Sequence, residues 1–205
     1  MMLLIAIAAA ALLDDAGAAR LTTAAPPPIT PQAAGPLSFD GAHLGMTIGE
    51  WRALAPPPGV GPTAAADCGP GILAALREAR VTTAAQGTGQ TVCAYDARFG
   101  DDVLLHSAKL DDRYRIDALR YRFIGGRLSE VDFTASVDAY NDIVAKLTHD
   151  YGRPTSTVRG FTRTSDGRFA EVRQTWRADG GVVTLTDPTY NPLRLSVRIA
   201  EGVQP

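Results

Sequence analysis

An apolar stripe with a start signal and a stop signal runs through residues 136–154, SVDAYNDIVAKLTHDYGRP, and sets what the rest of the chain must supply. Tyr140, Ile143, Val144, Leu147 and Tyr151 recur at helical period, one above the other. Ser136 is placed to cap the first free N–H groups, and Asp138 sets negative charge at the positive end of the helix dipole. Asp142 and Lys146 stand four apart in the favourable order. Gly152 can take the left-handed conformation that closes a helix, and Pro154 forbids its resumption. A helix with one oily side needs a surface to cover. Runs of alternating apolar and polar residues on both sides predict strands that provide it.

The predicted fold class is therefore α+β: an antiparallel sheet with helices packed on one face, readable as two tandem helix-plus-strands units. Residues 37–205 form a single α+β domain, with sub-units 37–135 and 136–205. Hydrophobic content of 45% and charged content of 20% are ordinary for a chain that folds. Lys109 and Lys146 are the only lysines among 20 Lys and Arg, a bias toward Arg. The net charge of −2 gives no long-range attraction to nucleic acid or to an anionic bilayer, so no nucleic-acid partner is expected.

Residues 1–18 read as a signal peptide. The apolar run LLIAIAAAALL at 3–13 is shorter than the roughly 20 residues a membrane-spanning helix needs, and Ala16-Gly17-Ala18 offers small residues for cleavage. Two features depart from that pattern: no Lys or Arg precedes the run, and Asp14 and Asp15 follow it. Residues 19–36, rich in Pro and Ala, read as a disordered tether. The expected location is periplasmic or secreted, with no integral membrane span in the mature chain. In such a compartment Cys68 and Cys93, the only two cysteines, are expected to form a disulfide. Closing that loop would stabilise the fold by about 3–4 kcal/mol in the loop-entropy account.

Local signals place the other elements. Thr47 and Glu50 make a capping box before a short helix through Trp51, and residues 72–80 predict another. Cys93 and Tyr95 point inward from one strand. A three-residue turn, Gly125-Gly126-Arg127, is expected to set Tyr121 opposite Val131, Leu119 opposite Phe133 and Arg120 opposite Asp132. Asp179-Gly180 predicts a two-residue turn pairing Trp176 with Val183 and Gln174 with Leu185. Leu193, Leu195, Val197 and Ile199 alternate along a last strand.

The outer face of that second sheet region gathers Arg173, Arg177, Arg194 and Arg198, with Glu171 as the nearby carboxylate. These arginines are the candidate binding residues, for an acidic protein segment, a lipid headgroup or a glycan; the plainer reading is a solvated sheet face in an Arg-rich chain, since exposed charges seldom need a partner. No nucleophile elbow, phosphate loop or metal-ligand spacing occurs, so no catalytic residue, metal or cofactor is assigned. His43, His106 and His149 are isolated, and the doublets Asp101-Asp102 and Asp111-Asp112 suit solvated turns.

The segment LGMTIGEWRAL, opening a short helix before hairpin-rich strands, and its echo in residues 136–154 resemble the small envelope modules of the SmpA/OmlA type and the tandem modules of the β-lactamase-inhibitor-protein type. The resemblance covers helix starts and strand order, and this chain lacks the lipid-bearing Cys of the SmpA/OmlA-type lipoproteins. It implies a binding or scaffolding role in the cell envelope. The expected function is a non-enzymatic exported module that binds an envelope protein or acidic ligand through its sheet or the loop around residues 187–192. The alternative is a small periplasmic hydrolase or other enzyme with a site between helix and sheet.

Overall fold

The computed structural model describes residues 36–61, 64–72, 89–99, 102–105, 108–110, 113–164, 167–188 and 193–202. The predicted leader, residues 19–35 of the predicted tether, residues 73–80 of the second predicted helix, Asp101, His106 and the Asp111-Asp112 doublet lie outside them.

The chain is mostly β, which overturns the α+β expectation. A ten-stranded antiparallel sheet carries the fold among the described residues. Its strands are β3 (Ala65–Asp67), β4 (Gln90–Phe99), β5 (Asp102–Leu105), β6 (Ala108–Lys109), β7 (Arg115–Ile124), β8 (Arg127–Ser136), β9 (Ser156–Thr164), β10 (Gly167–Ala178), β11 (Gly181–Asp187) and β12 (Arg194–Glu201). The order is β3-β4-β7-β8-β12-β11-β10-β9, with β5 beside β4 and β6 beside β7. A small hairpin, β1 (Ser38–Phe39) with β2 (Ala42–His43), stands apart. Described helix comprises α1 (Ile48–Arg52), residues 70–72, a 3-10 turn (Val137–Ala139) and α2 (Tyr140–Tyr151). Those pieces are too few and short to make a helical layer over such a sheet. The sequence reading gave α2 organising weight because its caps are explicit, whereas two-, three- and four-residue strands leave almost no periodic signal.

The local signals of α2 are realised. The Ser136 hydroxyl accepts from Asp138 N, and Gly152 closes the helix at φ 80°. Ile143 and Leu147 are buried, with Tyr140, Val144 and Tyr151 half-buried beside the core. The expected Asp142–Lys146 pair is replaced by two others: Lys146 with Asp150 at 3.1 Å and Arg113 with Asp142 at 3.0 Å. The Thr47–Glu50 capping box is formed, and α1 buries Trp51 against Tyr121, ring centroids 4.9 Å apart. One core holds residues from both predicted sub-units, among them Trp51, Tyr121, Phe133, Trp176, Leu185 and Ile199. Leu195, Val197 and Ile199 face it as expected, but Leu193 is exposed, one residue before β12 begins.

The β10–β11 register matches the expectation, with Trp176 opposite Val183 and Gln174 opposite Leu185. The β7–β8 register is subtler. The chain turns in two residues, Gly125-Gly126, both at positive φ, with Ile124 opposite Arg127. A bulge that leaves Ser129 extra then restores Tyr121 to Val131 and Arg120 to Asp132. A second irregularity between Asp117 and Arg120, with Ala118 at φ 50°, displaces Leu119 from the expected pairing with Phe133. Hydrophobic register won, as expected, but through bulges and not through the turn.

Cys68 and Cys93 form the disulfide, as expected, and this fits a non-cytoplasmic protein. No helix among the described residues is long and apolar enough to cross a membrane.

Candidate functional site

Direct antiparallel partners share a face of a sheet, so the register decides which side chains meet. Arg173 lies opposite Thr186, Thr186 opposite Ser196, Thr184 opposite Arg198, and Arg198 opposite Asp132. Across the next pair Asp132 meets Arg120 and Glu130 meets Arg122. All these residues lie on the face away from the core. The four candidate arginines thus share one face, as expected, but they are not an open cationic patch.

The difference lies in the strand order. Because β12 sits beside β8, the carboxylates of β8 enter the arginine face, and β7 adds Asp117. Glu130 Oε2 accepts from Arg198 Nε at 2.8 Å and from its terminal nitrogen at 2.6 Å. Arg194 pairs with Asp117, and Arg173 with Glu171 at 3.1 Å. Arg177 is exposed and has no ion-pair partner among the described residues. The expectation that Glu171 is the nearby carboxylate of this face is therefore corrected: Glu130, Asp132 and Asp117 belong to it.

Sequence reasoning misses Arg120, Arg122, Glu130 and Asp132 as site residues, and places Arg120 and Asp132 only as cross-strand partners. They line a cavity of about 440 Å³, together with Thr134, Ser196 and Arg198. Glu130 and Asp132 are buried, although they sit on the outer face. Arg120 pairs with Asp132, and Arg122 lies 3.5 Å from Glu130. The side chains of Arg120 and Arg122 are only 12% and 13% exposed, so these pairs are held away from bulk water. The only signal in the sequence was alternation of opposite charges on neighbouring strands, which an exposed hairpin would show equally.

The cavity lies on the stretch of β7–β8 between the two irregularities, and bulges bend a ribbon and raise its twist. Ser129 Oγ donates to Arg122 O at 3.1 Å, and Thr134 Oγ1 to Asp117 O at 3.3 Å, so side chains stitch both kinks. Three guanidinium groups, Arg120, Arg122 and Arg198, face two carboxylates in this cavity, an excess of one positive charge. Arg122 Nε is buried and has no hydrogen-bond partner among the described residues. A guanidinium offers five donors, and an orphaned one in a polar cavity suits an incoming anionic oxygen.

The alternative location, between helix and sheet, holds Ile143, Leu147 and Trp176, all buried in the core. Of the loop around residues 187–192, Asp187 and Pro188 are described; burial pushes the Asp187 carboxyl up from its ordinary value. His43 hydrogen-bonds the Leu44 carbonyl at 3.1 Å, and His149 is exposed in the last turn of α2. No group of three His, Cys, Asp or Glu among the described residues is placed to hold a metal ion.

No protein-family model matches the chain, and no curated protein or solved structure matches it.

Proposed function

We propose that this chain is an exported, non-enzymatic binding module of the cell envelope, periplasmic or secreted, whose sheet face takes an acidic ligand in the Arg120–Arg122–Arg198 cleft. One observation carries the reading: a charged cavity with an excess cation keeps a buried arginine donor, Arg122 Nε, without an acceptor among the described residues. Leaving such a donor unsatisfied costs about 1–3 kcal/mol, which a ligand carboxylate, phosphate or sulfate would relieve. The Ser196 and Thr134 hydroxyls at the cavity wall can orient the same ligand. The disulfide and the leader-like run at residues 3–13 support the compartment. The resemblance to SmpA/OmlA-type modules supports the same class of role.

The test is a titration of the oxidised protein with citrate, inorganic phosphate and sulfate, following the arginine Nε resonances by NMR. A saturable shift at Arg122 that weakens at least tenfold in Arg198→Ala supports the cleft. Arg198 is 62% exposed, so this variant keeps the fold. Shifts spread evenly over all arginines, or none at millimolar anion, would reject it.

A further inference from the structure

Beyond the cleft, β9 and β10 form a ribbon that outruns its neighbours. β10 pairs with β11 only from Val172 to Ala178, whereas it pairs with β9 from Gly167 to Thr175. The segment Gly167–Glu171 therefore has β9 as its only strand partner among the described residues, and β9 ends the strand order. Residues 155–161 and Arg163 are exposed, on whichever face they point.

The register collects charge on one face of this ribbon. Arg163 lies directly opposite Arg168, Phe161 opposite Ala170 and Arg159 opposite Val172. Three arginines thus flank one aromatic ring, and at the Arg159 end Asp187, opposite Val172 on β11, shares that face. Glu171 points to the other side, where it pairs with Arg173. Like charges placed directly across a strand pair destabilise it. Phe161 is 64% exposed, and the Arg168 guanidinium sits 3.9 Å from its ring centroid. The outer edge of β9 also turns alternate N–H and C=O groups toward solvent.

We infer that β9 is a docking edge for an extended acidic segment of another protein, which adds to the sheet as a further strand. Main-chain hydrogen bonds would supply pairing, and alternate side chains would supply selection. The face Arg159-x-Phe161-x-Arg163 reads the same in both directions. Its complement is therefore also symmetric: an acidic residue, any residue, an apolar residue, any residue, an acidic residue. A second copy of this chain is a poor occupant. Antiparallel pairing of two β9 edges centred on Phe161 sets Arg159 of one copy opposite Arg163 of the other. This inference is independent of the cleft, since none of its residues lines that cavity.

The test uses the full oxidised chain and synthetic nine-residue peptides carrying that acidic-apolar-acidic pattern, with binding followed by fluorescence anisotropy. Saturable binding is expected, reduced at least tenfold by Arg163→Glu with Arg168→Glu, and similarly by Phe161→Ala. A peptide with the same charges and a central proline should lose binding, because it cannot complete the ladder. Equal binding of the proline peptide would reduce the site to plain electrostatics and overturn the inference. So would concentration-dependent dimers in light scattering that Arg163→Glu abolishes, or binding to phosphatidylglycerol vesicles with no binding to the peptides. Loss of peptide binding in Arg198→Ala, with the ribbon intact, would also place the contact elsewhere.

Discussion

The indole Nε1 of Trp176 donates to the carbonyl oxygen of Gly152 across 3.0 Å. One partner is fully buried on β10, and the other is the residue that closes α2. The bond satisfies one of the carbonyls that a helix end leaves open. It also fixes where the chain leaves the helix for β9, since Thr155 N then donates to Thr175 O at 2.7 Å.

Trp176→Phe keeps an aromatic ring but removes the donor and part of the volume. We expect a loss of about 1–3 kcal/mol from the hydrogen bond and the void together, read as a lower urea midpoint with an unchanged slope. A midpoint equal to that of the parent would mean that the helix end is held by other contacts.

The two partners of the Glu130–Arg198 pair are not equivalent. Arg198 is 62% exposed and can turn to water, whereas Arg122, on the other side of Glu130, is 13% exposed and cannot. Glu130→Ala should therefore cost about 3 kcal/mol, by leaving a poorly solvated guanidinium behind. Arg198→Ala should cost less than about 1 kcal/mol. Equilibrium denaturation of the two variants decides the order, and a reversed order contradicts this account of the cleft.

Two glycines test the sheet in opposite directions. A Cβ on Gly181 would meet the Ala200 carbonyl oxygen and a Leu37 methyl, so Gly181→Ala forces backbone to move. A loss of about 1–3 kcal/mol is expected. Gly160, on the projecting ribbon, has open space around its Cβ position, and alanine there should be neutral or slightly stabilising. Thermal midpoints of the two variants measure the contrast.

Alkaline stability has a named contributor. The Tyr151 hydroxyl donates to the Ser38 carbonyl at 2.5 Å, and burial, with Asp150 nearby, pushes its ionisation from 10.0 up to about 12. A folded value above the unfolded one means that the contribution is complete below pH 10 and lost as pH rises through 12. Tyr151→Phe should flatten the fall in stability across that window and cost about 1 kcal/mol at neutral pH through the lost hydrogen bond. Urea midpoints of parent and variant between neutral pH and that window provide the check; parallel curves would remove Tyr151 from the alkaline response.

What the sequence made legible is what is decided within a few residues. The Thr47–Glu50 box, the Ser136 cap, the Gly152 stop and the Asp179-Gly180 turn each place their determinants side by side. The Trp176–Val183 register follows from one such turn. The fold class was misread because β3, β5 and β6 are too short for alternation to show. The cleft was illegible for a different reason: Arg198 meets Glu130 over 68 positions of chain, and only the adjacency of β12 and β8 brings them together. The bulges at Ser129 and Ala118 that shape it have no turn residue to announce them. The ribbon face needed one fact that spacing does not carry, that Arg163 and Arg168 are partners on the last strand pair of the order among the described residues.

The strand β4 divides its loyalties. Gln90–Cys93 pairs with β7, and Ala94–Asp96 pairs with β3, so the sheet forks beside the sulfur atom of Cys93. A pull on the β3 branch therefore runs into the Cys68–Cys93 link before it reaches the ladder behind it. In an oxidising compartment the fork behaves as a riveted seam; where thiols are kept reduced, the same three-residue branch keeps only its ladder and the packing of Ala66 and its neighbours, and is the place where the sheet would start to peel.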